Sequence, residues 1–208
     1  MTDNYTRIMM ENLERLYAEM PDDLADRLPA ARDGDRFKFN AFGETCTIAP
    51  DGITLGGDGF NPVIGIIVSL YALHAKPAPM ITEPFRAFKE FPGSMPYIGA
   101  FSTHTENILV EHVETIEQSV SNIKEGMDGA DAPPGISSDC AFTVRPLPKI
   151  TLCYIFYEAD EDFPASATCL YSGNANDFLP LDALADVGEY TSRKILELAA
   201  ADRDDRKQ

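Results

Sequence analysis

Ile150-Thr-Leu-Cys-Tyr-Ile-Phe-Tyr157 is an unbroken run of apolar and β-branched residues, bounded by Pro148-Lys149 upstream and by Glu158-Ala-Asp-Glu-Asp-Phe-Pro164 downstream. Its length suits a strand, and its lack of polar alternation means that both faces are buried, as in a central strand. Residues 140–144 predict a second strand, joined to it through Arg145-Pro146-Leu147-Pro148-Lys149, and residues 168–171 a third. A strand buried on two faces needs a layer on each, and the rest of the chain has to supply them.

Upstream, Asn61-Pro62 pairs an N-cap residue with a first-turn proline. Val63, Ile64, Ile66, Ile67, Leu70, Tyr71 and Leu73 then cover most of a helix's circumference to about residue 75, which predicts a central buried helix. Before it, Tyr5, Ile8, Met9, Leu13, Leu16, Tyr17 and Met20 recur at three- and four-residue steps. They predict an amphipathic helix over residues 1–20, ended by Pro21, with a short helix over 22–28 after it. Phe37, Phe39, residues 45–48, and Ile53 with Leu55 behind the Pro50-Asp51-Gly52 turn predict a meander of two or three strands.

Residues 76–96 are rich in Pro and Phe and predict an irregular connection that wraps the core. Leu109, Val113, Ile116, Val120 and Ile123 mark a helix from 102 to about 125, with Glu106, Glu111, Glu114 and Glu117 facing elsewhere; residues 126–138 are a loop. Residues 180–201 read as a final helix with Leu181, Leu184, Val187, Ile195 and Leu198 inward, and 202–208 as a charged, fraying tail. The expected architecture is a single α+β domain over residues 1–208: an antiparallel or mixed sheet packs against the buried helix at 62–75, with the terminal helices outside. A chain this long buries roughly 70% of its unfolded surface, enough for one core without disulfides or a structural metal.

Thirty-four Asp and Glu against 17 Lys and Arg give a formal net charge of −17, and residues 101–192 hold 16 acids against 3 bases. With no basic stripe to neutralise phosphates, nucleic acid is excluded as a partner, and anionic membrane surfaces are disfavoured for the same reason. No apolar run reaches the ~18 residues of a membrane span, and residues 1–19 lack the basic and apolar regions of a secretory signal. Cys46, Cys140, Cys153 and Cys169 form no C-x-x-C pair, and three of them sit in apolar or β-branched surroundings, as buried structural thiols do. A cytoplasmic setting fits best.

The sharpest local feature is the acidic corner Glu158, Asp160, Glu161, Asp162, Phe163 directly after the central strand. Carboxylates this crowded repel one another unless a cation or backbone N–H groups compensate them. The corner lacks the ligand spacing and Gly of a calcium loop, so no metal is assigned. On a purely structural reading, Phe163 enters the core and the carboxylates cap free N–H groups. Gly56-Gly57-Asp58-Gly59 matches neither a dinucleotide nor a P-loop fingerprint and reads as a tight turn. His104 and His112 are eight residues apart, unlike the pair on a zinc-binding helix, and His74 closes the buried helix at the negative end of its dipole. No G-x-S-x-G is present, and no thiol has a His neighbour in sequence.

Asp139-x-x-Phe142, Leu147-Pro148, Tyr157-Glu158-Ala159-Asp160-Glu161-Asp162-Phe163-Pro164-Ala165, Leu170-Tyr171 and Phe178-Leu179-Pro180, with Leu70-Tyr71-Ala72-Leu73 and Phe91-Pro92-Gly93-Ser94 upstream, resemble an uncharacterised domain family of anaerobic bacteria and archaea. Some of its members are joined to a four-iron-four-sulfur domain that this chain lacks. The family carries no established reaction, so the resemblance implies a cytoplasmic protein of anaerobic metabolism and assigns no cofactor.

The leading reading is a noncatalytic accessory or binding protein in anaerobic one-carbon, corrinoid or redox metabolism, meeting a basic protein patch or a small ligand through its acidic second half. The alternative is an enzyme or cofactor-binding domain whose pocket lies between residues 160–162 and the aromatic 91–97 loop, using Asp160, Glu161, Asp162, Tyr97 and His74. A structural homo-oligomer is the third.

Overall fold

A computed structural model describes residues 4–57, 59 and 61–205. The chain runs α1 (Asn4–Ala18), α2 (Leu24–Arg27), β1 (Ala31–Asp33), β2 (Arg36–Ala41), β3 (Glu44–Ala49), β4 (Gly52–Leu55) and α3 (Pro62–His74). Then follow β5 (Arg86–Ala87), α4 (Ile98–Phe101), α5 (Asn107–Val110), α6 (Val113–Gln118), α7 (Val120–Gly126) and β6 (Ala130–Asp131). β7 (Cys140–Leu147), β8 (Ile150–Tyr157), β9 (Ser166–Tyr171) and α8 (Leu181–Asp205) complete it. The fold is α+β as expected, but its strands form two antiparallel sheets, one ordered β1-β2-β3-β4 and the other β5-β9-β8-β7-β6.

The first sheet builds its layer by alternation. Phe37, Phe39 and Ala41 of β2, Cys46 and Ile48 of β3, and Ile53 and Leu55 of β4 are buried while their neighbours are more open, the period of two that a one-sided sheet requires. α3 and α1 pack together beside it, and the Tyr71 ring meets Phe39 edge-on at 6.0 Å. Asn61 caps α3 as its sequence predicts, its side chain accepting from the Val63 and Ile64 N–H groups at 3.0 and 3.2 Å. Buried Asn12 of α1 donates to Ser69 Oγ at 3.0 Å, and Ser69 donates onward to the Ile66 carbonyl. That relay fixes the two helices in register.

In the second sheet β8 pairs along its length with β7 and β9. Phe142, Tyr154 and Phe156 stack on one face, with centroids 5.7–6.2 Å apart, and this face looks onto α8. Across the other runs the proline-rich segment 76–84. Lys149 Nζ donates to the Ala78 carbonyl at 2.9 Å, Asn174 accepts from Ile81 N and donates to the Pro79 carbonyl, Gly173 N donates to Thr82, and Met80 meets Thr151. β8 is therefore covered on both faces, which explains its continuous apolar run.

α8 departs from the expected arrangement. It lies inside, with Ala183, Leu184, Val187, Gly188, Thr191, Ser192, Ile195 and Ala199 buried, and every helix from α3 to α7 touches it. Tyr171 Oη donates to the Leu184 carbonyl at 2.7 Å, and Tyr154 Oη shares a hydrogen bond of 3.0 Å with Ser192 Oγ. At its other end Asn122 of α7 donates to the Leu198 carbonyl. The helix touches the first sheet as well: Tyr190 packs edge-on against Phe42 at 4.8 Å, and Lys194 pairs with Glu44 at 3.1 Å. The two sheets meet where Phe42 N donates to the Pro146 carbonyl at 2.8 Å. Gly43 at this junction has φ +79°, and a Cβ there would fall 1.8 Å from the Gly126 carbonyl oxygen, so no other residue fits.

Smaller departures have local causes. The helix expected over 102–125 begins earlier and is broken, with a π-helical turn at Ser102–Glu106. That turn aims Glu106 inward to accept from Cys169 N at 3.1 Å on the β9 edge, so Glu106 does not join the solvent side. β1, β5 and β6 hold two or three residues each, too few to show a period. Residues 202–205 continue α8 instead of fraying, while 1–3 and 206–208 lie outside the described residues. All four cysteines are free and buried, and burial pushes Cys46 up to about 12 and Cys140 and Cys153 to about 11.

Gly188 tests the interior position of α8. A Cβ there would lie 2.6 Å from Tyr171 Oη and 2.8 Å from Phe101 Cε2. In an open helix Gly→Ala stabilises by about 1 kcal/mol; Gly188→Ala is expected to destabilise by about 1–3 kcal/mol through overpacking, read as a lower urea midpoint at unchanged slope. Asn61→Ala, which removes the α3 cap, is expected to lower stability by about 1 kcal/mol in the same assay.

Candidate functional site

β8 carries the chain to one end of the second sheet, and the acidic corner turns back there into β9. The turn is made by Asp160. Its Oδ1 accepts from Asp162 N at 2.8 Å and Phe163 N at 2.7 Å, and its own N–H donates to the Phe163 carbonyl at 2.9 Å. This is the local capping to which Asp side chains are suited. Asp139 does the same for the strand end, its Oδ2 accepting from Glu158 N at 2.8 Å, and the Tyr157 hydroxyl donates to the Ser137 carbonyl.

The corner thus divides into two kinds of carboxylate. Asp160 holds main chain, whereas the side chains of Glu158, Glu161 and Asp162 are exposed and cap nothing in the corner. Phe163 does not enter the core: it is 70% exposed, and the Tyr157 ring is half-exposed at 41%. Between them runs a groove of about 640 Å³, lined by Asp139, Tyr157, Glu158, Asp160, Phe163 and Pro164 among others. A shallower one of about 340 Å³ on the far side of Glu158 is lined by Val113, Glu114 and Ala165.

One partner in this region carries no signal in the local sequence. Glu117 of α6 reaches Glu158, and its carboxyl lies above the ordinary range. The hydrogen bond between the two carboxyls is the main cause, followed by desolvation and the charges of Glu158, Asp139 and Glu114. Carboxyls gathered this closely at a surface mark a local surplus of negative charge. The Glu114–Glu117 spacing on α6 identifies a polar face; its approach to the β8 end comes only from the packing of α6 on α8.

The remaining sequence candidates lie elsewhere. The 91–97 loop packs at the opposite end of β9: Phe91 is buried edge-on against Tyr171 at 6.0 Å, with the Arg86 guanidinium 4.7 Å from its centroid. The acidic corner adjoins Ser166 at the other end of that strand, roughly 17 Å away at the rise of an extended chain. Tyr97 therefore does not share a pocket with Asp160–Asp162, and neither Tyr97 nor His74 lines the groove. His74 is exposed at the last turn of α3, and His104 and His112 are also at the surface. The glycine-rich stretch closes a tight turn, with Leu55 N donating to the Gly59 carbonyl; Asp58 lies outside the described residues. Among the described residues no group of three or more His, Cys, Asp and Glu is arranged to hold a metal ion, and no helix is long and apolar enough to cross a membrane.

No curated protein and no solved structure matches the chain. One family model does, over residues 20–194, a span that runs from the end of α1 into α8 and takes in both sheets and the acidic corner. The chain belongs to that family, described as domain of unknown function (DUF3786).

Proposed function

We propose that this chain is a noncatalytic accessory or binding protein that docks a basic protein segment in the groove beside residues 158–164. The observation that carries this reading is the pairing of exposed aromatic rings with exposed carboxylates: Phe163 and Tyr157 line one groove with Glu158 and Asp160, and no Lys or Arg occurs between residues 150 and 192. Arginine suits such a groove, because its guanidinium stacks on aromatic faces while its N–H fork meets carboxylates. An acidic field also speeds the encounter with a cationic partner. The setting in anaerobic one-carbon, corrinoid or redox metabolism, in the cytoplasm, rests on the motif resemblance and on four buried, unpaired thiols. The chain acts in this reading as one domain.

The test uses a labelled peptide of alternating Arg and Gly, with a Glu-Gly peptide as control, followed by fluorescence anisotropy. The Arg peptide is expected to bind and to weaken steadily from about 0.01 to about 1 M salt, over which the Debye length falls from about 30 to about 3 Å. Glu158→Gln with Asp162→Asn, and separately Phe163→Ser, are expected to weaken it further; Asp160 is left intact because it holds the turn. Binding indifferent to salt, or unchanged in both variants, overturns the reading.

The Glu117–Glu158 pair makes a second measurement. Because the folded protein keeps a proton on Glu117 that the unfolded chain has released, stability is expected to fall as pH rises above the ordinary Glu value of 4.5 through the raised one. Glu117→Gln is expected to flatten that decline in melting temperature, and an unchanged profile refutes the raised Glu117 carboxyl.

A further inference from the structure

A separate cavity opens on α8, sharing no residue with either groove at the acidic corner. Asp186, Glu189, Tyr190 and Arg193 form one wall at helical spacing; Tyr5 of α1 and Asn61 and Val63 at the start of α3 form the other, around about 450 Å³. Its polar groups are mostly spoken for. Arg193 donates through Nε and Nη2 to Glu189 Oε1 at 3.2 and 2.8 Å, which neutralises that pair. Asn61 is occupied with the α3 N–H groups. Asp186 has no ion-pair or hydrogen-bond partner among the described residues, and desolvation with the charges of Glu189 and Asp182 pushes its carboxyl up to about 6. Apolar surface surrounds it: Tyr5 and Val63 are 49% and 41% exposed, and the Tyr190 ring is braced from behind by Phe42.

We propose that this cavity binds a small organic cation, an ammonium group on a short apolar or aromatic body, with Asp186 as its counter-ion and Tyr5 and Tyr190 as its aromatic walls. A single unpaired carboxylate in a cavity lined by two tyrosines is the chemistry that recognises such a group, and the volume lies in the range of small-molecule sites. An inorganic cation is poorly served, because among the described residues no three His, Cys, Asp or Glu side chains converge here. An anion would meet Asp186 directly, at a helix terminus whose free N–H groups Asn61 already satisfies.

Calorimetric titration with tyramine, and with 4-ethylphenol as its neutral counterpart, tests this on the intact chain. At about pH 7.5, where Asp186 is ionised and tyramine is a cation, saturable tyramine binding is expected, with 4-ethylphenol at least about tenfold weaker, a difference of ~1.4 kcal/mol. Asp186→Asn, conservative in size on an exposed helix face, is expected to cost the same factor with its circular dichroism unchanged, and Tyr5→Ala to weaken binding severalfold. Affinity is expected to fall on acidification through about pH 6 as Asp186 takes up its proton. The charged and titratable groups near it are Asp182, Glu189, Tyr190 and Arg193 on its own helix, Tyr5 on α1 and the buried Tyr171 of β9, while α3 contributes only uncharged side chains. Absence of saturation, equal binding of 4-ethylphenol, or unaltered affinity in Asp186→Asn overturns the proposal. Loss in Glu158→Gln with retention in Asp186→Asn also overturns it and places the amine in the acidic groove, so the two sites are told apart.

Discussion

The phenolic hydroxyls of Tyr154 and Tyr171 govern this architecture. Both are fully buried, and a buried hydroxyl without a partner costs more than its hydrogen bond would contribute. Each finds that partner on α8, Tyr171 on the Leu184 carbonyl and Tyr154 on Ser192. The contacts lie eight residues apart, a little over two turns and about 80° around the helix, so they set its position and its rotation together. Once α8 is held, α4 to α7 have a surface to pack on, and the first sheet is tied in through Tyr190 and Lys194.

The same constraint brings the acidic groups together. α6 rests on α8, and its outward face carries Glu114 and Glu117 to the end of β8, where Glu158 and Asp139 already stand. Three segments distant in sequence thus contribute to one negative region. Its carboxylates are not equivalent: Asp139 and Asp160 serve the main chain, Glu158 meets Glu117, and Glu161 and Asp162 are exposed. The corner is both a structural turn and a source of charge, and its residues divide those tasks.

Much of the fold is legible along the chain because its signals are local. Asn61-Pro62 announces α3, the apolar stripe of residues 5–20 announces α1, and the continuous run Ile150–Tyr157 marks β8 to the residue. What escapes a linear reading depends on distant partners. The burial of α8 follows from two hydroxyls presented by another layer, and its mixed sequence, with Asp182, Asp186, Glu189 and Arg193 on one side, resembles that of a surface helix. The π-helical turn at Ser102–Glu106 is set by an unpaired N–H on β9, and β5 and β6 are too short for a period to show. The acidic corner is conspicuous in sequence, but neither the outward turn of Phe163 nor the arrival of Glu117 is, since both are outcomes of packing.

Segment 76–84 has a further consequence. It lies over the second face of β8, with Met80 against Thr151 and Glu83 near enough to help raise the Cys153 thiol. Its fastenings lie outside the sheet ladders: Lys149 and Gly173 each hold it by one hydrogen bond, Asn174 by two, and Lys76 is tied to Asp177. Such a segment belongs to the least stable opening unit of a protein. Detachment of this strip would lay bare a sulfur atom in the middle of an otherwise intact sheet, so that Cys153 is a built-in gauge of partial opening whose alkylation rate separates peeling of the cover from loss of the fold.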